Sequence, residues 1–350
     1  MNALTPVLAK GRAPSLQAIG ISKTFGPLLA LDDVSINVPA GAFHALLGEN
    51  GAGKSTLVKS IMGFYSADKG QVMLDGKEVI IKSPRDARAH GIGMVYQQFT
   101  LVPCLTAAEN LVISRADAPR VIDWRKEKKA LAEFMEQMPF KVPLDAQVSS
   151  LSAGEKQKLE ILKLLYLDQR FMILDEPTSV LTPGEADEML GLLGEMAGRK
   201  EITVLMISHK FREVKAFCDG FTVLRRGRFT GSGDAQSASI AEMSQMMIGD
   251  TEVRERAVRR VHNEKREVLE LAGLFAEDAD GGNAIEAVNL KVHAGEIVGV
   301  AGVSGNGQSA LVEALGGQRP LSDGAIRVHG QNFFPTRSAL DRLKVFGVPE

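Results

Sequence analysis

The chain has 350 residues, with 41 Lys and Arg against 43 Asp and Glu, so its formal net charge is only −2. This balance argues against a protein that coats nucleic acid, which is usually strongly basic, and two cysteines exclude a disulfide framework. No apolar run approaches the roughly 20 residues of a membrane-spanning helix, and no secretory signal is recognisable. We expect a soluble chain of about two domains, preceded by a disordered tail over residues 1–15.

The second half of the chain repeats part of the first. We predict a first copy over 16–247, a charged linker over 248–266 and a second copy over 267–350. Glycines recur at a constant spacing of 254 residues, in the pairs Gly41 and Gly295, Gly48 and Gly302, Gly53 and Gly307, Gly70 and Gly324, and Gly76 and Gly330. One offset for every pair indicates duplication rather than chance. Nothing in the second copy corresponds to residues 97–247, so we expect an incomplete domain, either in a fragment or in a truncated form of a longer protein.

Short strands and helices alternate along the first copy. The predicted elements are strands over 44–47, 171–174 and 203–207, a helix over 54–63 and a hairpin over 71–80. Polar loop residues follow each apolar run, which has the length of a buried strand. The pattern predicts an α/β fold with a mostly parallel sheet flanked by helices.

A glycine-rich phosphate-binding loop follows the first of these strands and precedes the helix. Its sequence matches G-x-x-x-x-G-K-[ST], and the strand–turn–helix context disfavours a plain glycine turn. Such a loop points successive N–H groups at phosphate oxygens, and the helix N-terminus adds partial positive charge. Lys54 would reach the β- and γ-phosphates and Ser55 would hold Mg²⁺. The candidate ATP-binding residues are Gly48, Glu49, Asn50, Gly51, Ala52, Gly53, Lys54, Ser55 and Thr56.

Two carboxylates, Asp175 and Glu176, end the apolar run over 171–174. A carboxylate at the end of a strand beside a phosphate loop is a usual Mg²⁺ ligand in nucleotide sites, which predicts that role for Asp175. Glu176 is then placed to polarise the water that attacks the γ-phosphate. A solvated strand end is the alternative, and the presence of Lys54 favours the site.

A third motif, Leu-Ser-x-Gly-Glu-x-Gln, begins at Leu151. Ser152 and Glu155 have the spacing of a capping box, which predicts the start of a helix. The cap does not explain Gly154, a poor helix former in the first turn, and a small residue there permits the close approach of an anionic group. With the phosphate loop before it and Asp175 after it, this motif resembles the signature sequence of the ATP-binding-cassette (ABC) ATPases.

The resemblance extends over nearly all residues from Leu16 onward and implies further roles. Gln97 matches the family's Q-loop glutamine, a metal and catalytic residue, with Gln98 as the less favoured candidate. His209 matches the switch histidine that contacts the γ-phosphate. Phe25 matches the aromatic residue that stacks on adenine, or is otherwise a core residue.

The resemblance also implies the architecture of the P-loop NTPase fold of ABC type. It comprises a mostly parallel sheet flanked by helices, an antiparallel β subdomain and a helical signature subdomain, followed here by the start of a second copy. Residues 177–182 match the family's D-loop, with Thr182 where many members carry Asp. Because cassettes work head to tail, Ser152 and Gly154 would contact the nucleotide of a facing cassette.

In the second phosphate loop, Gln308 stands at the lysine position. A neutral amide cannot replace an ammonium group against a triphosphate, and the lost contact costs about 1.5–3 kcal/mol. The second loop is therefore predicted to bind or hydrolyse ATP poorly. One intact cassette fused to one without the lysine resembles the ATPase subunits of importers of simple sugars and nucleosides.

This resemblance implies an ATPase that uses ATP and Mg²⁺ and energises import from the cytoplasmic face of the membrane, slowly in this chain because the facing signature is missing. The implied partners are integral membrane permease subunits, a solute-binding protein acting indirectly and a second cassette, with no nucleic acid. Residues 97–110 would receive a permease helix, or else pack in the core. The alternatives are a soluble twin-cassette ATPase acting on ribosomes or DNA, disfavoured by Gln308 and the short linker, and a fragment that only binds nucleotide.

Overall fold

The structure, a computed structural model, describes residues 12–119, 121–138, 140–249, 266–277, 282–302 and 306–348. They form two compact units, within residues 12–249 and 266–348. Most of the predicted linker, and residues 1–11 of the predicted tail, lie outside the described residues. Ala13 is buried, and its N–H donates to the Lys200 carbonyl at 3.1 Å. The first unit therefore begins before residue 16, where the sequence suggested a tail to residue 15.

The first unit combines two sheets with helices, in the order that the alternating sequence pattern predicts. Its strands are β1 (Leu16–Phe25), β2 (Leu28–Val38), β3 (Phe43–Leu47), β4 (Lys69–Leu74), β5 (Lys77–Val79), β6 (Ile92–Val95), β7 (Phe171–Asp175), β8 (Thr203–Ile207), β9 (Gly220–Arg225) and β10 (Arg228–Asp234). Its α-helices are α1 (Lys54–Ile61), α2 (Pro84–Ala89), α3 (Ala107–Ile113), α4 (Trp124–Glu136), α5 (Ala153–Tyr166), α6 (Pro183–Gly198), α7 (Phe211–Phe217) and α8 (Ile240–Ile248), with a short 3₁₀ turn over Val148–Ser150.

The central sheet has the strand order β10-β9-β3-β8-β7-β6. All neighbouring pairs from β9 to β6 are parallel, and only β10 runs antiparallel at the edge. β3 and β8 are buried throughout, as continuous apolar runs require in a sheet covered on both faces. Because the strands are parallel, the loops that follow β3, β6, β7 and β8 meet at one edge.

A second, antiparallel sheet has the order β2-β1-β4-β5. Its last hairpin turns at Asp75 and Gly76, both with positive φ, as the predicted Asp-Gly turn requires. One hydrophobic cluster fills the space between this sheet, α1 and one face of the central sheet. A larger cluster on the other face joins α3, α4, α5 and α6. The predicted β subdomain and helical subdomain therefore lie on opposite faces of the central sheet.

The second unit repeats the antiparallel sheet of the first. It contains β11 (Glu267–Glu277), β12 (Asn283–His293), β13 (Asp323–Val328), β14 (Gln331–Asn332), α9 (Gln308–Leu315) and α10 (Arg337–Leu343). Its strand order, β12-β11-β13-β14, matches β2-β1-β4-β5. Ala287 and His329 have positive φ, as Asp33 and Asp75 do 254 positions earlier.

The counterpart of β3 in the second unit forms no strand among the described residues 297–302. Ile297 and Val300 are 80% and 57% exposed there, whereas β3 is buried between β8 and β9. Residues 266–350 hold no sequence counterpart of β8 or β9. Continuous apolar strands of parallel sheets are buried on both faces, and the exposed residues of this segment lack that cover.

No described helix of either unit is both long enough and apolar enough to cross a membrane.

Candidate functional site

A cavity of about 880 Å³ opens at the edge where β3, β6, β7 and β8 end. It collects residues predicted from four separate segments of the sequence. Those that line it are Asn50, Gly51, Ala52, Gly53, Lys54, Ser55, Thr56, Gln97, Asp175, Glu176 and His209. The structure therefore brings most of the predicted phosphate loop together with Gln97, Asp175, Glu176 and His209, whereas Gly48 and Glu49 are not among the residues that line the cavity.

The backbone of the phosphate loop has a conformation that requires glycine. Gly53 has φ +100°, and a Cβ there would lie 3.0 Å from the Ala30 carbonyl oxygen. It is also the N-cap of α1, where no side chain caps the helix. The first amides of α1 are therefore left for an anion, and the helix dipole favours negative charge at that end.

Lys54 is the buried cation of the site, with 8% of its surface exposed. Its Nζ donates to the carbonyls of Gly48 at 2.7 Å and Glu49 at 3.0 Å. Burial lowers the pKa of Lys54, and the negative charges of Glu176 and Asp175 oppose that shift. The loop carbonyls thus hold the ammonium group in place, and the nearby carboxylate charges favour its protonated form.

Asp175 is a half-buried carboxylate at the end of β7. Burial raises its pKa, and the charge of Glu176 raises it further, while Lys54 and Lys59 act in the opposite direction. A cation beside such a carboxylate stabilises its charged form. Ser55 and Gln97 line the same cavity and carry neutral oxygen atoms.

This donor set fits Mg²⁺. Mg²⁺ takes one or two protein ligands together with substrate phosphates and water, rather than a cage of side chains. The described residues contain no cluster of three or more His, Cys, Asp or Glu side chains that could hold a metal alone. The residues that would hold the ion are Ser55 and Asp175, with Gln97 beside them.

Glu176 and His209 form a pair at the wall of the cavity. The Nδ1 atom of His209 lies 3.2 Å from Oε1 of Glu176. The N–H of Glu176 donates to the Ile207 carbonyl at 3.0 Å, which joins the ends of β7 and β8. Glu176 has φ +48°, a left-handed conformation that costs a non-glycine residue about 1 kcal/mol or more. The carboxylate is therefore aimed by a strained backbone that its surroundings must hold.

The predicted capping box at the signature motif is present at the start of α5. Ser152 Oγ accepts from the Glu155 N–H at 3.2 Å, and Glu155 Oε2 accepts from the Ser152 N–H at 2.8 Å. Ser152 is exposed and Gly154 is buried. A Cβ at Gly154 would fall on the carboxylate of Glu185, which caps α6. Neither Ser152 nor Gly154 is among the residues lining the cavity.

Phe25 ends β1 and is not among the residues that line the cavity. Its ring packs edge-on against Tyr65, with 5.1 Å between ring centroids, and Lys23 Nζ lies 5.6 Å from the Phe25 centroid. Asp68 fixes this corner, and hydrogen bonds from Thr24 and Lys23 lower its pKa to about 2. The stacking role of Phe25 stays a prediction.

One wall of the cavity carries no sequence motif that would have predicted it. It is formed by Leu28, Leu29, Ala30, Ile207, Arg226 and Gly227. Gly227 connects this wall to the phosphate loop, because its N–H donates to the Ala52 carbonyl at 3.0 Å and its carbonyl accepts from the Asp32 N–H at 2.8 Å. These contacts join segments far apart in the chain, and no motif signals them.

A phosphate loop with a buried lysine, followed across the sheet edge by paired carboxylates and a histidine, defines a P-loop nucleotide site. The sequence matches the protein-family model described as ABC transporter over residues 31–179 and 285–348. The chain belongs to the ABC transporter family.

Relatives and solved structures agree with this assignment. The chain is 38% identical to the glucose import ATP-binding protein TsgD13 of Haloferax volcanii, over 92% of this chain and 63% of that protein. It is 36% identical to the nucleoside import ATP-binding protein NupA of Lactococcus lactis, over 96% of this chain and 66% of that protein. The chain thus spans slightly less than two thirds of the length of these relatives.

Among solved structures, a nucleotide-free ATP-binding cassette from an ABC transporter is similar with a TM-score of 0.58 and 28% identity, over 69% of this chain and 98% of that chain. The ADP conformation of the cassette MJ1267 is similar with a TM-score of 0.56 and 27% identity, over 66% of this chain and 94% of that chain. The predicted P-loop NTPase fold of ABC type is confirmed.

Proposed function

We propose that the first unit binds Mg-ATP and hydrolyses it to energise the import of a simple sugar or nucleoside. The observation that carries the proposal is the convergence of Lys54, Asp175, Glu176 and His209 on one cavity at the phosphate loop. The substrate class rests on the import proteins for glucose and nucleosides to which the chain is similar.

The residues divide the work of hydrolysis by their chemistry. Loop amides and Lys54 bind the β- and γ-phosphates. Mg²⁺, when bound, neutralises phosphate charge, and Ser55 and Asp175 would hold it. Glu176 accepts a proton from the attacking water as general base. His209, which lies 3.2 Å from Glu176, orients that carboxylate and faces the γ-phosphate.

We further propose that the second unit is the start of a second, degenerate cassette. Its strand order and its positive-φ positions repeat those of the first unit, and residues 285–348 match the family model separately. Gln308 begins α9 as Lys54 begins α1. Residues 303–305 of the second loop lie outside the described residues. An amide at this position binds a triphosphate weakly, which leaves the first unit as the competent nucleotide site.

The proposed nucleotide site is completed by a second cassette, and this requirement limits the rate at which this chain hydrolyses ATP. In head-to-tail pairing, Ser152 and Gly154 act on the nucleotide of a facing cassette, and the site around Lys54 needs a signature from another cassette. Residues 267–350 contain no such signature. Hydrolysis by the 350-residue chain is therefore slow and rises with concentration if two chains pair.

The proposed partners are integral membrane permease subunits, which this chain contacts at the cytoplasmic face of the membrane. A periplasmic or surface solute-binding protein acts indirectly, through the permease. The loop after β6 is the candidate permease contact. Val102 is exposed there and Phe99 is half-buried, whereas Leu101 is buried and belongs to the core. Co-purification with a polytopic membrane protein supports this role, and co-purification with ribosomes contradicts it.

Calorimetric titration of Mg-ATP into the chain tests nucleotide binding, and single-turnover hydrolysis with the chain in excess tests catalysis. Glu176→Gln should keep the wild-type affinity and lose hydrolysis, because it removes the base and leaves the phosphate loop intact. Glu78→Gln, an exposed carboxylate on β5, is the matched control. Absence of saturable binding contradicts the proposal, and normal turnover by Glu176→Gln contradicts the assigned role.

A further inference from the structure

We propose that Thr178, Lys210 and Glu213 form a hydrogen-bonded cluster that positions Glu176 against His209, so that Thr178 and Glu213 are positioning residues for hydrolysis. This inference rests on the proposed function and deepens it. Neither Thr178 nor Glu213 lines the cavity, and no motif used above assigns Thr178, Lys210 or Glu213 a role in hydrolysis.

Thr178 and Glu213 are buried, the Lys210 side chain is 39% exposed, and the polar groups of the three residues satisfy one another. Thr178 and Glu213 are 2% and 3% exposed. Thr178 Oγ1 lies 2.8 Å from both carboxylate oxygens of Glu213. Lys210 Nζ donates to the Thr178 carbonyl at 2.9 Å and to Thr178 Oγ1 at 3.0 Å, and lies 3.3 Å from Glu213 Oε1. The Thr178 hydroxyl thus donates its single hydrogen to the carboxylate and accepts from the ammonium.

The location of the cluster connects it to the Glu176–His209 pair. Thr178 follows Glu176 by two residues, and Lys210 directly follows His209. The two segments leave the adjacent parallel strands β7 and β8, where Asp175 pairs with Ile207. On the strand side they are joined by the bond from the Glu176 N–H to the Ile207 carbonyl. The cluster joins them again beyond the pair, so both sides of the Glu176–His209 contact are fixed.

The backbone conformation of Glu176 explains why the contacts of Thr178 with Glu213 and Lys210 affect the position of the Glu176 carboxylate. A non-glycine residue at φ +48° persists only where its surroundings hold it. The bond to Ile207 holds one side of this residue, and the tie from Thr178 to Glu213 and Lys210 holds the other. Loss of the cluster leaves the segment after Glu176 free to relax and to move the carboxylate away from His209.

At the start of α7, the Glu213 carboxylate contacts Thr178 and Lys210 and does not cap the helix. Glu213 is at the third helical position, where α3, α5, α6 and α8 each carry a glutamate that closes a capping box. In α7 no side-chain cap forms. The Lys210 N–H donates instead to Ser208 Oγ at 3.0 Å, which leaves the Glu213 carboxylate to Thr178 and Lys210.

Two substitutions at one position separate positioning from folding. Thr178→Val removes the hydroxyl and keeps the shape, whereas Thr178→Ser keeps the hydroxyl. We expect Thr178→Val to lower the single-turnover rate about tenfold to a hundredfold, as small misplacements of catalytic groups do, with the Kd for Mg-ATP unchanged. Thr178→Ser should restore the rate. Thr222→Val is the control, because it removes a buried threonine hydroxyl that bonds His44, outside the nucleotide cavity.

A spectroscopic measurement tests the same contact without hydrolysis. The ring signal of His209, assigned by its loss in His209→Asn, should shift when Glu176→Gln is introduced into the wild-type chain. The same change should produce a much smaller shift in the Thr178→Val background and an undiminished one in the Thr222→Val background.

Each outcome decides between the two proposals. Absence of Mg-ATP binding by the wild-type chain counts against the proposed function, and the His209 signal still decides the positioning role. Intact binding with equal rates and equal His209 shifts in Thr178→Val overturns the inference. So does a loss of affinity or folding equal to the loss of rate, because the cluster is then merely structural.

Discussion

Replacement of Lys54 by methionine should abolish tight Mg-ATP binding while leaving the fold in place. Methionine keeps most of the apolar stem and removes the ammonium group, which donates to the Gly48 and Glu49 carbonyls on the concave side of the phosphate loop. The nucleotide phosphates would then lose their only buried cationic partner among the described residues that line the cavity.

The magnitude follows from the character of that contact. A hydrogen bond to a charged group contributes about 1.5–3 kcal/mol. At about 1.4 kcal/mol for each tenfold change in Kd, the affinity for Mg-ATP should fall about 10- to 150-fold. The loss should be greater for ATP than for ADP, since Lys54 is assigned to the β- and γ-phosphates.

Calorimetric titration with ATP and ADP, accompanied by urea unfolding, measures both effects. Lys77→Met is the control, because it removes an exposed cation from β5 and should leave both affinities unchanged. An ATP affinity for Lys54→Met close to that of the wild type would refute the electrostatic reasoning behind the site. Equal losses for ATP and ADP would refute only the assignment of the γ-phosphate.

Three further predictions concern titratable side chains that are buried or half-buried. Burial lowers the pKa of His44 to about 4 from 6.5, so the unfolded chain takes up the proton first as the pH falls. The free energy of unfolding, measured with urea, should fall by about 3 kcal/mol as the pH drops from 6.5 to about 4. His44→Gln should make the free energy of unfolding less dependent on pH. Because the pKa of Asp175 is raised, Mg-ATP affinity should weaken on acidification above the usual aspartate range, and Asp175→Asn should remove that dependence in calorimetry. Glu160 is buried and accepts a hydrogen bond from the Thr100 N–H. Glu160→Ala should lower the free energy of unfolding by about 3–5 kcal/mol. The control Glu188→Ala, at an exposed position, should lower it by less than about 1 kcal/mol.

The parts of the site that the sequence predicts are those carried by short motifs. Lys54, Asp175 and His209 each follow an apolar strand, and parallel strands bring their carboxyl ends to one edge. The sequence could not predict Gly227 against Ala52, or Gly154 against Glu185, because these contacts join segments distant in the chain with no periodic pattern. Phe25 differs from both groups of residues. The resemblance assigns it the role of stacking on adenine, but it is not among the residues that line the cavity.

The two units show that the fold and the chemistry of the phosphate loop make separate demands on the sequence. Left-handed positions recur 254 residues apart although the side chains differ, as Asp75 and His329 do, so backbone geometry is kept without its original residue. Gln308 begins a helix as well as Lys54 does. Helix formation therefore does not need the ammonium group, whose burial lowers its pKa and opposes its charge. A buried cation that the fold does not require is expected where an anionic ligand repays its desolvation.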